Sequence, residues 1–201
     1  RFAGGDQPHP GVGYTGKWIG SKSTFFEGGI RVPAILSYPA KLPRGVTRDQ
    51  AVSTMDWFPT ILELCGIPAT GLQLDGRSLV ELAKQPATPS RHPVLYFQWQ
   101  NKWAVREGDW KLVGTRKGPW ELYNMATDRS ELSDQSARRP EKFTALKSKW
   151  DAWAEKIHVL TPEEFDAARR ANREKQKPKK TPKPPKKKAS KGEPKAGAIV
   201  R

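Results

Sequence analysis

The chain has 201 residues, with 36 Lys and Arg against 21 Asp and Glu, a formal charge of +15. Its hydrophobic fraction of 36% and eight Trp are enough for a real core. No run of eighteen apolar residues is present to span a membrane, and one cysteine, Cys65, excludes a disulfide framework or a cysteine-based zinc site within the chain. Residues 169–201 hold fourteen of the basic side chains and two acids, Glu174 and Glu193, which leaves 22 basic and 19 acidic side chains in the rest. All Phe, Tyr and Trp lie at or before Phe165. A near-neutral folded part followed by a disordered, cationic Lys/Pro-rich tail is therefore expected. Position 1 is Arg and no charged-then-apolar leader follows it, the pattern of a processed chain or a fragment.

Residues 1–21 are rich in Gly and Pro and read as an irregular loop. Residues 30–38 (IRVPAILSY) form an apolar run between Gly28-Gly29 and Pro39 and predict a buried strand, with Pro33 at its start or on an edge. Residues 56–65 (DWFPTILELC) predict a short helix capped by Asp56, with Phe58, Ile61, Leu62 and Cys65 on one apolar face and Gly66 ending it. On that face Cys65 reads as a small buried residue. After a polar stretch over 84–93, four short β-branched and aromatic runs follow, at 94–99, 102–106, 109–113 and 121–123. Their Gly-containing separators predict an antiparallel meander. Phe143, Leu146, Trp150, Trp153, Ala154 and Ile157 place one apolar stripe on a helix over 140–157, suited to lie across that sheet. Thr161-Pro162-Glu163-Glu164 has the form of a capping box and starts a last, polar helix that frays into the tail.

The three histidines, His9, His92 and His158, lack metal-ligand spacing, and no phosphate-binding or nucleophile-elbow motif occurs. The segment that stands out is 20–33, GSKSTFFEGGIRVP. Lys22 lies there in a Gly/Ser/Thr loop feeding the predicted strand, where α/β sheets place ligands. The hydroxyls of Ser21, Ser23 and Thr24 and nearby backbone N–H groups suit a tetrahedral oxyanion, although by the pattern alone a solvated lysine is the better reading. Glu27 and Arg31 are expected to pair or brace the turn, with Gly28-Gly29 permitting it. Trp99, Trp103, Trp110 and Trp120 are expected to pack under the helix rather than to stack on sugars. Asp109-Trp110-Lys111 has no separable structural or binding role at this level.

Segment 20–43, GSKSTFFEGGIRVPAILSYPAKLP, resembles the G-x-K-x-T-x-x-E-G-G-x-R-x-P stretch of the formylglycine-dependent sulfatases. The resemblance continues in order through 52–66, the Asp75-Gly76-Arg77-Ser78-Leu79 turn, AVREGDWKLV at 104–113 and ELYNMATD at 121–128. It implies the end of an alkaline-phosphatase-like α/β domain over 1–86, and a small C-terminal antiparallel four-stranded sheet with a packed helix over 87–160. A short helix running into the basic tail then covers 161–201. It further implies sulfate-ester hydrolysis, with Lys22 matching the lysine that touches the sulfate and its bridging oxygen. Thr24 and His9 are candidate substrate contacts, although for His9 a plain exposed loop residue is the better reading.

The same resemblance implies a formylglycine nucleophile and a calcium ion, and here the chain departs from the pattern. No C/S-x-P/A-x-R motif occurs and the paired metal-binding Asp residues are missing. The formylglycine and the calcium ligands are therefore expected upstream of Arg1, with no metal site in this chain and no activity of the chain alone. The expected partner is a sulfated small molecule or polysaccharide. The 169–201 tail is a possible polyanion contact, without base-reading motifs for specific nucleic-acid recognition. A periplasmic or secreted location is implied by resemblance. Alternatives are a phosphate or phosphonate ester hydrolase of the same superfamily, or a non-catalytic polyanion-binding module.

Overall fold

The computed structural model describes residues 14–115 and 118–175. Residues up to Pro162 form one unit and those from Glu163 a second. The centre of the first is a meander of four antiparallel strands in the order β1-β2-β3-β4, namely β1 (Val94–Trp99), β2 (Lys102–Glu107), β3 (Trp110–Thr115) and β4 (Glu121–Asn124). Trp99 pairs with Lys102 and Glu107 with Trp110, so the first two connections are two-residue turns. Gln100 (φ 51°) and Gly108 (φ 54°) take the left-handed conformation such turns require.

Side chains alternate across this sheet with period two, and both faces are covered. One face carries Val105, Leu112 and Leu122 and packs against Leu146, Trp150 and Ala154 of α4 (Pro140–Lys156). Trp103, Trp120 and Trp150 meet there at ring-centroid distances of 5.4–5.9 Å, and Tyr96 stacks on Trp153 at 4.9 Å. The expected packing role of Trp103, Trp110 and Trp120 is therefore what the structure has, whereas Trp99 stays 43% exposed at the hairpin end. The opposite face carries Ala104, Val113 and Tyr123, with Met125 just beyond β4, and packs on Phe25 and Phe26 of the segment that contains Lys22.

Upstream of the sheet lie a four-residue helix α1 (Glu27–Ile30), α2 (Trp57–Cys65) and α3 (Val80–Lys84), with a 3-10 turn over Thr54–Asp56 leading into α2. Gly66, at φ 70°, ends α2. Asp56 is wholly buried and gathers this region. Its carboxylate accepts from the backbone N–H groups of Ser53 (2.8 Å) and Arg77 (2.8 Å) and lies 2.7 Å from His92 Nε2. Thr60 Oγ1 donates to the Asp56 carbonyl and accepts from Leu79 N–H, which joins α2 to the Asp75–Leu79 turn.

Two sequence expectations are corrected. Residues 30–38 form no strand; Val32 and Ile35 are 70% and 88% exposed. A strand needs a neighbour to pair with, and among the described residues no strand lies beside this run. The buried side of α2 is Thr60 and Leu64 rather than the Phe58–Ile61–Cys65 face, and all three of these are exposed, Cys65 included. The contacts available to α2, from Asp56, Leu79 and the Leu42–Val80 cluster, lie on its other side.

The second unit contributes α5 (Pro162–Lys175), directly after Thr161 as the capping-box pattern predicts. It has acids in its first turn, Arg173 and Lys175 in its last, and no buried residue, a polar helix whose charges complement its dipole. Of the expected 169–201 tail, residues 169–175 are the last turns of this helix, and those from 176 onward lie outside the described residues.

Candidate functional site

Lys22 is exposed, in the turn that opens segment 20–30. The turn is closed by Thr24, whose Oγ1 donates to the Ser21 carbonyl at 2.8 Å and accepts from Ser21 N–H at 3.1 Å; Thr24 N–H also donates to Ser21 O. Ser23 sits between them in the left-handed region at φ 74°, which is costly for a residue with a Cβ. Gly28 N–H donates to Ile19 O at 2.8 Å, drawing the segment back on itself. A Cβ at Gly28 would overlap the Ile19 and Gly20 carbonyl oxygens, so this close approach is what requires glycine. The predicted roles of Thr24 and His9 part here. Thr24 is half-buried beside Lys22, whereas His9 lies outside the described residues.

Behind the exposed lysine lies a buried charge cluster. Lys111, fully buried on β3, places Nζ 2.8 Å from Glu27 Oε1 and 2.8 Å from Glu131 Oε1. The first is a hydrogen bond and the second an ion pair of the same length. Glu131 Oε2 accepts the Glu27 backbone N–H at 2.6 Å, and Glu131 itself is left-handed at φ 58°. Arg31 reaches Glu27 Oε2 at 3.4 Å, so the expected Glu27–Arg31 pair exists, but it is the outer and longer of the two Glu27 pairs.

Burial pushes both carboxyls up, and Lys111 pulls both down. At Glu27 the Lys111 ammonium, aided by Arg106 and Arg31, wins and holds it below the ordinary carboxylate range. At Glu131 burial wins over Lys111 and the Glu27 N–H, with the Glu27 charge adding to it, and the carboxyl is raised.

Lys111 and Glu131 were not singled out as site residues by the sequence. Their signal was the strand period: with Trp110 and Leu112 facing α4, Lys111 must point to the opposite face, and in β2 Lys102, Ala104 and Arg106 do the same. A lysine pointing into a covered face demands acids there. A separate groove of about 700 Å³, lined among others by Leu36, Tyr38, Val46 and Trp57, includes no residue of the lysine segment.

The family model for N-sulphoglucosamine sulphohydrolase, C-terminal, matches residues 17–154, taking in Lys22, the sheet and most of α4. This chain belongs to that sulfatase family. Similar proteins include an uncharacterized sulfatase of Schizosaccharomyces pombe, 31% identical over 161 residues, covering 73% of this chain and 29% of that protein. The N-acetylgalactosamine-6-sulfatase of Sus scrofa is 33% identical over 118 residues, 58% of this chain and 22% of its own length. Among solved structures, Ps i-CgsB in complex with k-i-k-neocarrahexaose superposes with a TM-score of 0.53 at 25% identity, over 65% of this chain and 30% of that one. The sulfatase chain thus spans less than a third of the relatives it matches, corresponds to the C-terminal portion of a sulfatase, and has the α/β architecture of the alkaline-phosphatase-like enzymes. No helix among its described residues is long and apolar enough to cross a membrane.

Sulfatases as a group imply a formylglycine and a divalent cation. The residues described here do not fit the cation: no group of three or more His, Cys, Asp or Glu among them could hold a metal ion. The buried acids are already engaged, Glu27 and Glu131 by Lys111, Asp56 by backbone N–H groups and His92.

Proposed function

We propose that the protein to which this chain belongs hydrolyses sulfate esters of sugars, and that Lys22 is the catalytic residue this chain contributes. The carrying observation is the placement of Lys22, an exposed ammonium on a segment tied down at its other residues, inside the stretch that matches the sulfatase family. The substrate class rests on relatives named for a sugar 6-sulfate. Hydrolysis of a sulfate ester leaves negative charge on the bridging oxygen as the alcohol departs. A lysine ammonium within hydrogen-bond reach of that oxygen stabilises this charge more in the transition state than in the ground state, or delivers a proton to the leaving alcohol. Thr24 keeps the turn closed and, with His9, belongs to the proposed substrate side. Formylglycine and calcium are part of the same proposal for the whole protein; no step is assigned to them in this chain. A periplasmic or secreted location goes with it. So does the tail, with residues 169–201 holding a sulfated polymer near the enzyme by charge.

The test uses the longest polypeptide that contains this chain, assayed with a matched pair of aryl sulfate and aryl phosphate and with a sulfated disaccharide. Sulfate-ester turnover that falls about a hundredfold in kcat/KM with Lys22→Ala is expected. An unchanged rate removes Lys22 from the chemistry. Turnover of phosphate or phosphonate esters alone replaces the reading with that superfamily alternative. Polyanion binding without hydrolysis leaves a binding module. Deleting 169–201 raises KM for a sulfated polymer but not for the aryl sulfate, and equal effects on both remove the role given to the tail.

A further inference from the structure

We infer that Lys102 is a positioning residue for Lys22, through which the C-terminal sheet joins the turn's own hydrogen bonds in setting where that ammonium stands. This rests on the proposed sulfatase chemistry of Lys22.

Lys102 is the first residue of β2, on the face turned away from α4. Its Nζ donates to the backbone carbonyl of Ser23, the residue next to Lys22, across 79 positions of chain. The same ammonium lies 5.4 Å from the Trp99 ring centroid, so the cross-strand neighbour of Lys102 also holds it in place. Ser23 is the strained point of the turn, at φ 74°. A non-glycine residue stays in that region only when its surroundings over-determine it, and a charge-assisted donor on its carbonyl is such a constraint.

The sheet then takes hold of the segment repeatedly. Phe25 lies against Phe97 of β1 at 5.7 Å and Phe26 against Tyr123 of β4 at 6.2 Å. Glu27 is ion-paired to Lys111 of β3, with its backbone N–H on Glu131. Residues 23, 25, 26 and 27 are thus anchored from the sheet side, while the Lys22 side chain is left exposed. An error of about 1 Å in a catalytic group can cost on the order of a hundredfold in rate. A constraint on the adjacent carbonyl therefore acts on the reaction without touching substrate.

Lys102 is half-buried at the end of a hairpin, so replacing it removes no core side chain. In the full-length protein, Lys102→Met should lower kcat for a sulfated disaccharide about tenfold while the thermal midpoint stays within a degree or two. Lys102→Arg, which keeps a cationic donor, should recover most of the rate. A second measurement needs no turnover: amide hydrogen exchange of residues 20–29 in this chain, expected to quicken about tenfold in Lys102→Met and not in Lys102→Arg. Full kcat in Lys102→Met, or a loss that Lys102→Arg shares equally with a lowered midpoint, overturns the inference. If the parent protein cleaves no sulfate ester, the functional reading falls by itself. The exchange data then decide alone whether Lys102 holds the turn, and unchanged exchange ends the inference too.

Discussion

Lys111 and Glu27 stand 84 positions apart in the chain and meet at 2.8 Å with side chains 0% and 3% exposed. This pair, completed by Glu131, is the electrostatic joint between the sheet and the segment that carries Lys22. An ammonium withdrawn from water is tolerable only while its carboxylates are in place.

Lys111→Met should therefore destabilise the protein by roughly 3–5 kcal/mol, because Glu27 and Glu131 are left facing each other without the buried ammonium between them. Urea unfolding followed by tryptophan fluorescence measures it. A loss below about 1 kcal/mol would show that the cluster carries no such weight. The double change Lys111→Met with Glu27→Gln should cost less than the sum of the singles, since it removes one stranded charge.

The two acids set opposite pH slopes. Glu27 is depressed in the folded state, so the stability it contributes is present above its unfolded pKa and is lost as pH falls through its folded pKa. Glu131 is raised, so its contribution is present below its unfolded pKa and is lost as pH rises through its folded pKa. Stability profiles from pH 3 to 8 should show Glu27→Gln with a weaker acid-side fall than the parent, and Glu131→Gln with a weaker fall on the rising side. Parallel profiles for all three proteins would contradict both directions.

Asp56→Ala removes the acceptor for Ser53 N–H, Arg77 N–H and His92 at one stroke. Donors left without a partner, together with loss of the capping box that Asp56 closes with Ser53 on the 3-10 turn rather than on α2 itself, should cost roughly 2–4 kcal/mol, read as a lower midpoint in thermal unfolding. Asp56→Asn keeps the shape and one oxygen and should recover part of that loss. Equal midpoints for the two variants would mean that the acceptor geometry does not matter.

Trp150→Ala empties the centre of the packing between α4 and the sheet, where Trp103, Trp120 and Trp153 all contact it. A cost of about 3–5 kcal/mol and a collapsed near-ultraviolet circular dichroism signal are expected. Because the lysine segment packs on the opposite face, hydrogen exchange over residues 20–29 should change far less than it does for Lys111→Met.

Local chemistry settled much of the fold before any contact was known. Strands at 94–99, 102–106, 109–113 and 121–123 became β1 to β4 within one or two residues, because two-residue turns and β-branched or aromatic runs are local signals. The helix stripe at 143, 146, 150, 153 and 154 placed α4 on the sheet for the same reason, whereas Ile157, read as part of that stripe, lies just past the helix and is exposed. The motif around Lys22 was legible as well, since its glycines and hydroxyls act within a few residues of one another. Where partners come from far along the chain, local pattern failed. The run at 30–38 has the composition of a buried strand yet no strand beside it among the described residues, and α2 buries Thr60 and Leu64 instead of its most apolar side. Residue composition shows what a segment is able to bury; only the tertiary structure decides what arrives to bury it. The same limit hid the charge cluster. Period two turned Lys102 and Lys111 toward one face, but that this face would meet Ser23, Glu27 and Glu131 followed only once the chain had brought them together.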